Sequence, residues 1–285
     1  ISCIDHGSIA AAAEAVSVSQ PTISIAITKL EQQLGSQLLI RQHAQGVLPT
    51  PTALRILQNA RTLLSQADEL QHDAMIASET ISGTIRLGSF ITLGPVILPS
   101  LIKELMKAFP QIHLEISEGT QENLMQDLKN NRIDVALLYD LDLSTDINCV
   151  PLSEYSPYVA LPNNHELAQK KEISLSELVN LPLILLDVAP SRSFFLGLFE
   201  AEDLKPTIAH TSPSLELVRG MVGCGLGYSL LVTRPHGDKT YDGSQICIRR
   251  LKGSHSKSRI VLGSLASLKK TRSITCLEQT AQKHF

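Results

Sequence analysis

The sequence predicts a multi-domain protein: an all-α amino-terminal unit of short helices, one long helix, and then an α/β part made of two subdomains. Three observations predict it. Helical periodicity fills residues 1 to 50, an apolar repeat of 3.5-residue spacing follows from Pro51 to about Ala77, and beyond Gly83 strand-like runs alternate with helical ones. With 285 residues the chain can bury two or three separate cores.

Composition narrows the class. Hydrophobic residues make up 43% and charged residues 19%, the proportions of an ordinary globular protein. A net charge of −3 gives no global attraction to polyanions, so any nucleic-acid binding must come from a local surface. Cys3, Cys149, Cys224, Cys247 and Cys276 are scattered without CxxC spacing, which points to a reducing compartment, the cytoplasm. No run is long enough to span a membrane and no basic-then-apolar leader is present. Ile1 already lies within an apolar pattern, which predicts that a few residues precede it.

Taken in order, the first helix ends near His6 and the second is capped by Ser8 and runs to about Val16. The third, within Ser17 to Gly35, has Ser19 as its cap, Pro21 in the first turn and Gly35 as its stop. Ile23, Ile27, Leu30 and Leu34 recur at spacings of four, three and four, so they are expected to be buried. Gln20, Thr22, Ser24 and Thr28 form a small polar face suited to base edges and phosphates in a major groove. Two helices joined by a tight turn, the second with a polar first turn, make a helix-turn-helix. Gln37 to Arg41 and Gln45 to Thr50, short apolar pieces around a glycine turn, read as a wing that puts Arg41 within reach of phosphate. Lys29, Arg41 and Arg55 are balanced by Asp5, Glu14 and Glu31 over residues 1 to 60, so affinity must also draw on the helix amino terminus and on doubling in a dimer.

The stretch from Gly7 to Gln42 resembles the winged helix-turn-helix domain of LysR-type transcriptional regulators. It matches their pattern at Gly7, Ser8, Ala12, Ala13, Ser19, Gln20, Pro21, Ser24, Ile27, Leu30, Glu31, Leu34, Gly35, Leu38 and Arg41. Leu39 stands where that family usually has Phe, Ile25 and Ala26 replace commonly polar or basic residues, and Pro49-Thr50-Pro51-Thr52 replaces Leu-Thr-x-x-Gly. The resemblance implies double-stranded DNA as a partner and Ser19, Gln20, Pro21, Thr22, Ser24, Thr28, Lys29 and Arg41 as the DNA-binding set. Residues 1–51 would be the DNA-binding domain.

In the long helix, Ile56, Ala60, Leu63, Ala67, Leu70 and Ala74 form a coiled-coil-like seam that Leu57 and Leu64 widen. So small an amino-terminal unit cannot cover that seam, so a helix from a second chain is expected there. In LysR-type regulators this segment, 52–78, is the dimerisation linker helix, and the family implies a homotetramer and RNA polymerase as a further partner.

After the polar break at Ser78 to Gly83, strands are expected at Thr84–Phe90, Ile112–Glu118 and Ile133–Tyr139, with helices at Pro95–Phe109 and Gln121–Asn131: a doubly wound unit with parallel strands. Asn148–Leu152 and Tyr155–Leu161 lead to a second unit. That unit holds a strand at Leu183–Leu186, helices near Phe194–Ala201 and at Ser214–Val222, and the further segments Ser174–Val179, Pro206–Thr211 and Leu226–Val232. Gln245–Leu251 and Ser258–Leu265 return the chain so that a last helix, Leu268–Lys283, packs on the first unit. This half, 83–285, resembles the family's effector domain, an α/β periplasmic-binding-protein-like fold with subdomain I at about 83–156 plus 264–285 and subdomain II at about 157–263. GTIRLGSF, the helix ending at Phe109-Pro110, DLKNNRIDVALL and GCGLGYSLL carry the likeness, with Asn131 where glycine is common.

Ligands of open α/β sheets bind beyond the carboxyl ends of strands, near helix amino termini. That rule selects Ser89, Thr92, Thr120, Arg192, Ser212 and Ser214, with Gly225 and Gly227 allowing close backbone approach. Hydroxyls plus one arginine suit a small organic acid or similar anion as effector. Phe194, Phe195 and Phe199 read as core. No catalytic or metal motif and no cofactor is indicated; Asp127 and Asp134 lack a partner nucleophile or base, and His210 lacks one too. The alternative is a solute-binding receptor of the same fold without a DNA role.

Overall fold

The computed structural model describes residues 1–42, 46–75, 81–253 and 255–285, the side chains of residues 42, 58, 62, 65, 66 and 68–75 excepted. Gln45 of the wing, the end of the long helix at 76–77, the start of the polar break at 78–80 and the seam side chains Leu70 and Ala74 lie outside what it describes.

The amino-terminal unit comprises α1 (Ser2–Asp5), α2 (Ile9–Ala15), α3 (Gln20–Leu34), a hairpin of β1 (Leu39–Gln42) and β2 (Gly46–Pro49), and α4 (Pro51–Met75). α2 and α3 begin where their capping residues stand. Ser8 Oγ accepts from Ala11 N at 3.1 Å and Ser19 Oγ from Thr22 N at 3.3 Å, each cap contributing about 1 kcal/mol. Gly35 ends α3 in the left-handed region at φ 61°, where a side chain is disfavoured. β1 and β2 pair antiparallel with Arg41 opposite Val47. Gly46 is required because a Cβ there would lie 2.1 Å from the Gly7 carbonyl oxygen, which already accepts from Val47 N at 2.8 Å. This close approach ties the wing to the α1–α2 turn.

The core of this unit is small: Cys3, Ala12, Leu38, Leu39, Val47 and Ala53, with Ile4, Ile9, Ile23, Ile27 and Ile56 packed against it. Leu39 is 7% exposed, so leucine fills the place where phenylalanine is the family's usual choice. Leu30 and Leu34, expected to be buried, are 46% and 49% exposed. The reason is geometric: α3 has fifteen residues and runs past the end of so small a core. Leu63 and Leu64 of α4 are exposed as well. Arg61 of α4 is buried and paired with Asp5.

The carboxy-terminal part is α/β throughout. Its first sheet has the order β4-β3-β5-β13-β6, from β3 (Ser82–Phe90), β4 (Gln111–Gly119), β5 (Val135–Tyr139), β6 (Ile147–Tyr155) and β13 (Ser258–Leu265). β3 pairs parallel with β4 and β5, the expected doubly wound start. α5 (Gly94–Ala108) and α6 (Gln121–Lys129) are the crossovers. The remainder of this sheet is antiparallel, because β13 inserts between β5 and β6 in opposite sense to both. The chain therefore returns to the first sheet at Ser258, earlier than the expected 264, while β12 (Ile246–Leu251) stays in the second. α10 (Arg272–His284) packs on this side, Ser273 Oγ donating to Ser82 O at 3.0 Å.

The second sheet runs β11-β7-β12-β8, from β7 (Tyr158–Pro162), β8 (Glu172–Ile173), β12 and β11 (Ser229–Leu231). The parallel pair of β9 (Pro182–Leu186) and β10 (Thr207–Ser212) joins it through a bridge between Leu183 and Tyr228. α7 (Leu175–Leu178), α8 (Ser191–Glu200) and α9 (Leu215–Gly223) complete this lobe. β8 and a 3-10 turn at Glu166–Gln169 are too short for any periodicity to announce them.

Candidate nucleic-acid interface and effector cavity

The first candidate site is the outer side of α3. Gln20, Pro21, Thr22, Thr28 and Lys29 are exposed, and Ser24 is half-buried. Their hydrogen bonds are local: Thr22 Oγ1 meets Ser19 Oγ at 2.8 Å, and Thr28 Oγ1 donates to Ser24 O at 3.0 Å. Arg41 is exposed on β1. The neutral charge balance of this unit looks different once its acids are located. Asp5 is paired with Arg61, and Glu31 Oε1 accepts from Leu38 N at 2.7 Å and Leu39 N at 3.1 Å, fixing the entry to the hairpin. Two of the three carboxylates are thus engaged within the unit, and sequence counting could not find this. The cations Lys29, Arg41 and Arg55 are exposed.

The second candidate is a cavity between the two sheets of the α/β part. Thr92, Tyr139 and Leu141 line it from the first sheet's side, with Leu186, Ser191, Phe194, Phe195, Leu215 and the segment Leu231 to Thr233 from the second, and Ser258 at the crossing. Its free interior, about 10 Å³, is room for about one water molecule. No lining side chain carries a charge. Five are hydroxylic. Tyr139 and Thr233 are hydrogen-bonded through their hydroxyls, and the Tyr158 hydroxyl donates to Thr233 O at 3.0 Å. Burial pushes the Tyr139 phenol above the usual tyrosine range, outweighing the Thr233 and Thr92 hydroxyls that draw it down. Tyr158 is raised by burial too. Both phenols therefore remain protonated. Thr92 is 2% exposed, and although its hydroxyl is near enough to influence Tyr139 it makes no hydrogen bond of normal geometry. A buried hydroxyl without a partner costs about 1–3 kcal/mol, so a molecule that bonded this group would recover that cost.

Of the residues selected from sequence, only Thr92 lines the cavity. Ser89 is fully buried and bonds the Phe90 carbonyl at 3.3 Å. Thr120 caps α6 by accepting from Asn123 N at 3.3 Å. Ser212 Oγ accepts from Ser214 N at 3.1 Å, and Ser214 caps α9. Arg192 is ion-paired with Asp187 at 2.9 Å. Gly227, at φ 157°, lets Tyr228 N reach the Pro182 carbonyl at 3.0 Å, and Gly225 serves a turn at φ 82°. Phe195 and Phe199 are core as expected; Phe195 also lines the cavity together with the half-buried Phe194, the two rings edge to face at 5.5 Å. Sequence reasoning misses Tyr139, Ser191, Thr233 and Ser258, since each lies inside or beside an apolar strand or helix run. Asp134 binds Arg86, with 3.1 Å to Nε, and Asp127 binds Arg132 at 3.2 Å, and neither lines the cavity. His210 is exposed on β10, outside the cavity. Among the described residues no group of His, Cys, Asp and Glu could hold a metal ion, and no helix is long and apolar enough to cross a membrane.

Two family models match the chain. "Bacterial regulatory helix-turn-helix protein, lysR family" covers residues 1–54 and "LysR substrate binding domain" covers residues 78–284. Among relatives, the "Hydrogen peroxide-inducible genes activator" of Pectobacterium carotovorum subsp. carotovorum is 32% identical over 238 residues, 81% of this chain and 76% of that protein. Among solved structures, HinK, a LysR family transcriptional regulator from Pseudomonas aeruginosa, is 37% identical with a TM-score of 0.71, covering 99% of this chain and 94% of that one. A single-residue variant of full-length OxyR from Pseudomonas aeruginosa is 28% identical with a TM-score of 0.77, covering 97% and 92%.

Proposed function

Starting from the fact that the chain belongs to the LysR family of DNA-binding transcriptional regulators and is not an enzyme, we propose that it acts in the cytoplasm as a dimer or tetramer. Each copy presents the amino end of α3 to a major groove, with Gln20, Ser24 and their neighbours reading bases and Lys29 and Arg41 meeting phosphate. The observation that carries this reading is the outward exposure of Gln20, Thr22 and Lys29 on a capped helix whose other side holds the unit's core. The exposed Leu63 and Leu64 of α4, together with Leu30 and Leu34 of α3, support a second chain as their cover.

The effector reading changes from what the sequence suggested. Arg192 is neutralised by Asp187 and no charge lines the cavity, so a carboxylate there would be desolvated without a counter-ion. The geometry supports a small uncharged effector that accepts or donates hydrogen bonds to Thr92, Tyr139 and Ser191 and rests on Phe194 and Phe195. All five cysteines lie outside the cavity wall, so an effector held there meets no thiol. Entry of anything larger than water requires the two lobes to part, and that movement is the signal passed to DNA. Thermal unfolding with matched pairs, acetamide against acetate and benzyl alcohol against benzoate, tests it. Stabilisation by the neutral members is expected. Stabilisation by the carboxylates alone would exclude the reading.

A further inference from the structure

We infer that Ile25 is a specificity-determining residue that reads thymine through its 5-methyl group. The inference rests on the DNA-binding reading of α3 given above. At about 100° per residue, Ile25 lies about 200° around the helix from both Ile23 and Ile27, which pack against the core of the amino-terminal unit. It therefore stands at the middle of the outward side, and it is 57% exposed. Thr22 and Lys29, its neighbours three residues before and four after, are exposed on the same side. The other large exposed hydrophobic side chains of α3, Leu30 and Leu34, continue the inner stripe and belong to a different surface.

In the major groove the base edges offer hydrogen-bond donors and acceptors and a single kind of apolar group, the methyl of thymine. A β-branched side chain in a helix is nearly fixed at χ1, so seating it against that methyl costs little entropy. The charge pattern argues in the same direction. Lys29, Arg41 and Arg55 are the cations of residues 1 to 60, so phosphate contacts supply a modest share of affinity and contacts at base edges must supply more. A polar base edge placed against Ile25 would lose its water without gaining a bond, which makes the contact discriminate against the other bases as well as favour thymine.

The test uses the whole chain and a duplex selected from a random pool by its binding. Each thymine is then replaced singly by uracil, which removes the methyl and leaves base pairing intact. Wild-type protein is expected to lose about fourfold in affinity at one thymine of each half-site, the worth of one buried methyl-sized group, and to bind all other uracil duplexes unchanged. Ile25→Ala should bind the selected duplex more weakly, show no uracil effect at that thymine, and unfold at the wild-type temperature, since the side chain is exposed. Equal binding of every uracil duplex by wild-type protein would overturn the inference while leaving DNA recognition by α3 intact. Failure to select any duplex would overturn both.

Discussion

Thr92 carries a hydroxyl that folding has buried without a hydrogen bond of normal geometry, and two consequences follow. Thr92→Val keeps the shape and removes the unsatisfied group, so thermal unfolding should be unchanged or shifted upward, by up to about 1–3 kcal/mol. The same variant should no longer be stabilised by the neutral ligands that stabilise the wild type. Gly227 gives the opposite case. A Cβ there would lie 2.2 Å from the Pro182 carbonyl oxygen, so Gly227→Ala should destabilise by about 3 kcal/mol or more in chemical denaturation by disturbing the β9–Tyr228 pairing. At this scale, capping was legible at Ser8 and Ser19, each of which caps the helix that follows, whereas Ser214, selected as an effector contact, caps α9 instead. The effector residues were largely not. Serine before a helix is a cap far more often than a ligand, and the strand-to-helix rule cannot tell which hydroxyl faces a cavity and which closes its own turn.

Among the elements, α4 is the one whose amphipathic face the amino-terminal unit leaves open. Leu63 and Leu64 are 65% and 57% exposed, so Leu63→Glu with Leu64→Glu should shift the protein toward monomer in sedimentation velocity and leave far-ultraviolet circular dichroism unchanged. Equal sedimentation of variant and wild type would remove these residues from the interface. Helices and strands were legible wherever periodicity extended over several residues, as in α3, α5 and β3. Strand order was not legible at β13, because the alternation of Ser258–Leu265 marks a strand without saying which sheet it enters. The partner strands, Val135–Tyr139 and Ile147–Tyr155, lie more than a hundred residues earlier, and nothing local encodes that pairing.

For the molecule as a whole, the uncharged cavity and the raised pKa values of Tyr139 and Tyr158 set a pH dependence. A tyrosine whose folded pKa is raised contributes stability that is complete below its unfolded value, about 10, and is lost as pH rises through the folded one. Effector binding measured by calorimetry should therefore be flat from about pH 6 to 9, whereas a histidine-based site would show a slope there. The cations Lys29, Arg41 and Arg55 number three per chain, so log affinity against log salt should fall with a slope no steeper than about −5 where one dimer engages the duplex, and about twice that where all four copies of a tetramer do. The measurement that bears most directly on the amino end of α3 compares wild-type protein with Gln20→Ala/Ser24→Ala on a selected duplex and on an unrelated one at the same salt. A loss of about 10- to 100-fold on the selected duplex, with near-equal binding to the unrelated one, is the predicted result. Unchanged affinity for the selected duplex, or an equal loss on both, would contradict it.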